Sequence, residues 1–281
     1  MGGTGKTPVV AAIAAWLIER GHRPSILTRG YGRKENVDGV VVIDASTPLA
    51  LTGDEPMMLS RQVPRATVCV SPERYLGGVL AEKLGCTVHI LDDGFQHIEL
   101  ARDLDILVTT VGEIPNGRVI PAGRLREPKD AAARAHFLVV SDATAGAASA
   151  EAWALGISQS CGARRTVGTP TGIRNQESGT SKVLAVAGIA HPDRFVTSLR
   201  DAGHNVVDSI AFPDHHRYTA KDLGVIDSKM RSVGADAVFT TEKDAVRFVD
   251  LAPAFPLYAV PLIVEFDPPD ALFESVKAVL A

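Results

Sequence analysis

Apolar positions in this chain fall into short runs of four to six residues, separated by longer stretches with helical spacing. Residues 9–20 are rich in Ala, Ile, Leu and Trp and close at Gly21, which predicts a helix ending in a left-handed cap. Pro8 is tolerated in its first turn because the missing N–H would be unpaired there. Residues 24–28 and 39–44 read as strands, and a helix opens near Gly53-Asp54-Glu55-Pro56. Residues 67–70, 72–84 and 87–91 read as strand, helix and strand, and 104–109 and 137–140 as two further strands. This alternation predicts βαβ units, hence an α/β fold with a mostly parallel sheet, helices on both faces and ligands at the strand C-terminal ends.

Residues 142–152 are rich in Ala, Gly, Ser and Thr with little periodicity, and 172–181 are polar, so the chain is expected to divide there. Residues 1–150 would form one core and 180–281 a smaller C-terminal α/β lobe. In that lobe 182–187, 205–212 and 237–240 read as strands, and 192–202, 220–233 and a short segment near Asp244 as helices.

With 46% hydrophobic and 22% charged residues among 281, the chain has material for a buried core. Its net charge of −4 gives no support to nucleic-acid binding, and no protein partner is inferable. Cys69, Cys86 and Cys161 form no CxxC pair, which favours a reducing, cytoplasmic setting over a disulfide framework or zinc site. The uncharged run at 8–18 is shorter than the roughly 20 residues of a spanning helix. No secretory signal is expected, since no charged segment leads into an apolar run with a small-residue cleavage site.

Gly2-Gly3-Thr4-Gly5-Lys6-Thr7 reads as a phosphate loop, with glycines that expose backbone N–H groups, a lysine for phosphate and a hydroxyl for Mg²⁺. Such a loop joins a strand to a helix, and this one has no strand before it. Residues 88–91 are an apolar strand that runs into Asp92 and Asp93, where a Walker-B acid would stand beside Mg²⁺, although Asp93-Gly94 also suits a plain turn. Asp54 is a candidate helix N-cap, with Pro56 in the first turn, and a candidate acceptor of a hydroxyl proton. His215 and His216 are candidates for a general base, a metal ligand or solvated loop residues. Arg29, Tyr31 and Arg33, and Arg124, Arg126 and Glu127, sit on Gly-containing loops suited to phosphate or sugar recognition.

In chain order these segments read GGTGKTP, RGYGR, GDEP, DDGFQH, LREP, AGI, DHH and TEKDA. The set resembles the tetraacyldisaccharide 4'-kinase family, the lipid A 4'-kinases of Gram-negative bacteria, from Gly2 to about Phe248. The resemblance implies a P-loop enzyme that uses ATP and Mg²⁺ to phosphorylate the 4'-hydroxyl of an acylated glucosamine disaccharide 1-phosphate at the cytoplasmic face of the inner membrane. Carried over by position, Lys6 and Thr7 would hold phosphate and Mg²⁺, and Asp92, Asp93 and Glu127 are candidates for the metal shell. Asp54 would be the base, paired with His215, and the second lobe would close over the site. Arg29, Tyr31, Gln96, His97 and Arg126 match further family positions near the site.

Two features depart from the family pattern. Its N-terminal apolar membrane-associating helix and first strand precede the phosphate loop, and neither is found in this sequence; loss of such a strand is expected to expose apolar sheet edges. Arg124 also stands where the family has Pro. Taken alone, the loop also fits another P-loop small-molecule kinase, or an N-terminally truncated, catalytically silent nucleotide-binding fragment.

Overall fold

A computed structural model describes residues 5–35, 37–173, 182–248 and 251–280. In chain order the first elements are α1 (Lys6–Glu19), β1 (Pro24–Thr28), β2 (Val41–Val42), α2 (Leu49–Thr52), α3 (Asp54–Gln62), β3 (Thr67–Val70), α4 (Arg74–Lys83) and β4 (Val88–Leu91). Then come β5 (Ile106–Thr110), β6 (Phe137–Ser141), α5 (Ala145–Ala154), β7 (Gln159–Val167), β8 (Thr171–Gly172), β9 (Val183–Ala187) and α6 (Pro192–Asp201). The chain closes with β10 (Val206–Ala211), α7 (Ala220–Ser232), β11 (Ala237–Thr241), α8 (Glu242–Phe248), β12 (Leu257–Val260), β13 (Leu262–Asp267) and α9 (Ala271–Ala278).

These elements form two units, each discontinuous in sequence. One holds Met1–Arg29, Arg65–Arg165 and Val264–Ala281, the other Gly30–Pro64 and Thr166–Ile263. Residues 30–64, expected within the 1–150 core, therefore cluster with those expected in the lobe, and 264–281 return to the first unit.

In the first unit β3, β1 and β4 form a parallel sheet, with Ile26 paired to Val68 and to Ile90. The order β13-β7-β6-β5 forms another, with β5, β6 and β7 parallel. The inner strands β1 and β6 are buried at every residue, and apart from Ser25, Thr28 and Ser141 they are apolar throughout. Val9, Ile13 and Leu17 recur every fourth residue on α1 and pack with Phe137, Val139 and Leu272. β4 and β5 are the end strands of their sheets, are only half-buried, and line a cavity of about 710 Å³ together with α1.

The second unit is built on the order β10-β9-β11-β12-β8, parallel except for β8 against β12. α8 follows β11 directly, and α3 packs on α8, where Gln62 hydrogen-bonds Glu242.

Four local expectations change. α1 begins at Lys6, three residues earlier than the apolar run suggests. The strand expected at 39–44 shrinks to Val41–Val42. Residues 142–152, read as a boundary, contain most of α5, capped by the Thr144 hydroxyl accepting from Ala147 N–H at 3.4 Å. Alanine is the best helix former yet adds little apolar contrast, so the periodicity is faint although the helix is stable. β7, also without a sequence signal, follows it into the sheet.

Candidate active site

In the first unit, the turn from Gly5 into α1 carries the phosphate-loop residues that are described; Gly2, Gly3 and Thr4 lie outside the described residues. Gly5 has φ +89°, and a Cβ there would stand 2.9 Å from Ser141 Oγ, so the backbone can take this course only without a side chain. Gly5, the N-cap of α1, has no side chain to cap the first turn. Lys6 Nζ lies 3.3 Å from Asp93 Oδ1.

Asp93 follows β4 at φ +52°, and its other oxygen accepts from Arg126 Nη1 at 2.9 Å. The same Nη1 donates to Gln96 Oε1 at 3.2 Å. Burial pushes the Asp93 carboxyl up, but Lys6 and Arg126 outweigh it and hold the group below the usual carboxylate range. Asp92 is buried. Burial and the nearby Arg74 charge together hold the His97 imidazole below its ordinary value.

Arg74, at the start of α4, has no forerunner among the sequence candidates. Its side chain is buried, and Nη2 donates to the carbonyls of Asp92 and Asp93, both at 3.2 Å. Its Nε and Nη1 are buried without an acceptor among the described residues. A cation with spare N–H groups beside Asp93, the partner of Lys6, makes a donor set that fits anionic phosphate oxygens.

Glu127 is held by Arg134 through two hydrogen bonds of 2.8 and 3.2 Å. Among the described residues no three carboxylates, histidines or cysteines gather as a metal cage. Mg²⁺ bound with a nucleotide takes one or two protein groups and fills its octahedron with phosphate oxygens and water, and the Asp92 and Asp93 carboxylates are oxygen donors of that kind. Arg124 is exposed, and the loop before Arg126 is closed by Leu125 N–H to Arg118 O at 3.0 Å. Arg29 is exposed at the end of β1, and Tyr31, in the second unit, is exposed as well.

The second unit brings together residues 161 positions apart. His215 Nδ1 lies 3.0 Å from Asp54 Oδ2. Asp54 is the first residue of α3 and not its N-cap: Gly53 takes that position, at φ 83°, where a Cβ would meet the Tyr31 carbonyl oxygen at 2.7 Å. The carboxylate is thereby released from capping and faces His215 and Arg247, whose Nη2 also donates to Oδ2. Burial pushes the Asp54 carboxyl up; hydrogen bonding and charge from Arg247, then His215, prevail and hold it below the usual range. His215 has φ +59°, and its neighbour His216 turns away to Asp222 of α7 at 3.2 Å and stacks on Phe212. The two histidines therefore serve different neighbourhoods.

Lys243 Nζ stands 3.1 Å from His215 Nε2. An ammonium can only donate, so Nε2 accepts and Nδ1 carries the proton given to Asp54, an assignment read from the hydrogen-bond network. The TEKDA segment thus supplies the lysine on His215, and one turn later Arg247 on Asp54, through the single short helix α8. The sequence marks the segment, but its contacts depend on α8 packing against α3.

Such an arrangement offers a phosphate cradle in one unit and an ionised, oriented carboxylate in the other. A family model described as tetraacyldisaccharide-1-P 4'-kinase (LpxK) matches residues 1–281. A tetraacyldisaccharide 4'-kinase of Pelobacter propionicus is 40% identical over 262 residues, covering 89% of this chain and 72% of its own length. One from Geobacter sulfurreducens is 38% identical, covering 96% and 78%. A crystal structure of LpxK from Aquifex aeolicus in complex with ATP matches all of this chain and 86% of its own, at 28% identity and a TM-score of 0.77.

Proposed function

Since the chain belongs to the tetraacyldisaccharide-1-P 4'-kinase family, we propose that it transfers the γ-phosphoryl group of ATP to the 4'-hydroxyl of a tetraacyldisaccharide 1-phosphate, a lipid A precursor. The enzyme is an ATP-using kinase.

On this reading Gly5, Lys6 and Thr7, with Gly2, Gly3 and Thr4, bind the ATP phosphates. Thr7, Asp92 and Asp93 would hold Mg²⁺, with Glu127 a further candidate; when bound, the ion neutralises phosphate charge. Arg126 and Gln96 keep Asp93 in place, and Arg29, Tyr31 and His97 are candidate contacts to nucleotide or sugar. Asp54 accepts the proton of the attacking hydroxyl and His215 orients it. The sugar oxygen bonds to the γ-phosphorus, the bond to the β–γ bridging oxygen breaks with its electron pair leaving on ADP, and the hydroxyl proton passes to Asp54. Phosphoryl transfer asks the protein mainly for alignment and charge stabilisation, which these side chains supply.

No described helix is long and apolar enough to cross a membrane. The glycolipid acceptor and the cytoplasmic supply of ATP support a reaction at the inner-membrane surface, on its cytoplasmic side.

The observation that carries the reading is the 3.0 Å approach of His215 to Asp54. In a transfer assay with ATP, Mg²⁺ and the disaccharide, Asp54→Ala and His215→Ala should each lower turnover far more than substrate binding. Unchanged turnover in both variants would rule out the pair.

A further inference from the structure

Both donors that reach Asp54 use the same oxygen. Oδ2 accepts from His215 Nδ1 and from Arg247 Nη2, while Oδ1 has no hydrogen-bond partner among the described residues and is not among their buried unsatisfied atoms. Two donors fixed on one oxygen set the rotation of the carboxylate plane and leave the other oxygen open.

The donors are themselves held. Arg247 has a side chain only 6% exposed, and its Nη1 donates to Asp244 Oδ1 at 3.0 Å and to the Gly188 and His216 carbonyls at 3.4 and 3.5 Å. Asp244 is fully buried, and its Oδ2 accepts from Gly188 N–H at 2.9 Å and from the Thr241 hydroxyl at 2.7 Å. One arm of the guanidinium fork is anchored in the fold and the other is delivered to Asp54. On the far side, Lys243 caps His215 Nε2 and also lies 3.5 Å from Asp214 Oδ1. With Nε2 taken up by a donor, the ring is held in one orientation and one tautomer.

We infer that Arg247 and Lys243 are positioning residues for the base: Arg247, locked by Asp244, and His215, capped by Lys243, together pin Oδ2 of Asp54 and so present Oδ1 to the acceptor hydroxyl. This rests on the reading of Asp54 as the base and adds which oxygen takes the proton and what keeps it aimed. His215 stays a donor throughout; the proton leaving the sugar oxygen comes to rest on Asp54 Oδ1. Arg247 also opposes the effect of burial, keeping the carboxylate ionised. Among the described residues the charged and titratable groups around the pair include Arg247, Lys243 and Asp244 from α8, and His215, Asp214 and Tyr218 from the segment before α7.

The test compares the full chain with its Arg247→Met, Arg247→Lys, Lys243→Met and Asp54→Asn variants. It reads kcat, KM for ATP, the acid limb of the kcat–pH profile and the ¹³C NMR titration of the Asp54 carboxyl, which needs no turnover. Arg247→Met should lower kcat on the order of 100-fold, the usual scale for a misplaced catalytic group. KM for ATP should stay within about twofold, since the phosphate cradle is untouched. The acid limb and the carboxyl titration should both move to higher pH. Arg247→Lys keeps the charge but loses the fork, so the acid limb should return towards wild type while kcat remains about tenfold low. This milder variant carries the test if Arg247→Met, which strands Asp244, does not fold. Lys243→Met should leave the far side of the His215 ring unheld and lower kcat while KM for ATP stays unchanged. Wild-type kcat in Arg247→Lys, or an unmoved Asp54 titration in folded Arg247→Met, overturns the positioning role while an inactive Asp54→Asn leaves the base reading intact. Full activity in Asp54→Asn removes the base reading itself.

Discussion

Replacing Gly53 with Ala changes no group that binds or reacts, yet it should disable the acceptor side of the site. Gly53 sits at φ 83° and ψ 168°, a region essentially closed to residues with a Cβ, at a cost of about 1–3 kcal/mol. The added methyl would also stand 2.7 Å from the Tyr31 carbonyl oxygen, about 0.7 Å inside the 3.4 Å at which ordinary contact begins. Because that neighbour is backbone, either the loop at Tyr31 or the first turn of α3 must give way, and Asp54 is the first residue of that turn. Misaligned catalytic groups lose roughly 100-fold in rate per ångström, so a displacement of about half an ångström predicts a fall in kcat of about tenfold. Stability should fall with it, by several degrees in Tm at about 2–4 °C per kcal/mol for a chain near this size. Steady-state transfer of labelled γ-phosphate gives kcat, and calorimetric titration with ATP gives the affinity, which should be unchanged because Gly53 and the phosphate loop belong to different units. A Gly53→Ala protein with wild-type kcat and melting temperature would refute the claim that this turn sets the carboxylate.

Acid sensitivity and thiol reactivity give two further tests. Asp54 and Asp93 are both held below their ordinary values, so the stability they contribute is complete above the unfolded carboxylate value of about 3.9 and is lost as pH falls through the lower folded values. Asp54→Asn should therefore lose less stability between pH 5 and pH 3 than wild type, and parallel melting curves over that interval would contradict the assignment. Burial pushes the Cys69 thiol up to about 11 and the Cys161 thiol up to about 12. Neither should react with a disulfide reagent at pH 8 until denaturant is added, and rapid native-state labelling of either would show that the sheets around them open.

How far the sequence discloses this protein follows from what each signal depends on. β1 is legible to the residue because a strand buried on both faces writes itself as five consecutive apolar or small side chains. α6 and β9 are legible within one residue for similar local reasons. α5 escapes because alanine and glycine blur the contrast between faces, and Asp54 resembles a cap because Gly53 satisfies the same position by backbone geometry alone. The association of residues 30–64 with 166–263 has no local signature, since it is fixed by α3 meeting α8 far along the chain. For the same reason Arg247 and Lys243 carry no assignable role until the helices are in place. Arg74 is hidden differently: a single arginine at a helix start reads as surface, and only its burial beside the Asp92 and Asp93 carbonyls distinguishes it.

β4 is gripped along one flank by β1 and borders the cavity along the other, so mechanically it is a cantilever, and Asp92 and Asp93 sit at its tip. Stiffness at that tip cannot come from a ladder on both sides; part of it is borrowed from α4, whose arginine clamps the two carbonyls. If Asp92 and Asp93 face the nucleotide as proposed, the placement of charge around it depends on a helix bracing a half-supported beam, and whatever loosens that brace should be felt first in the alignment of the donor, well before the inner strands notice.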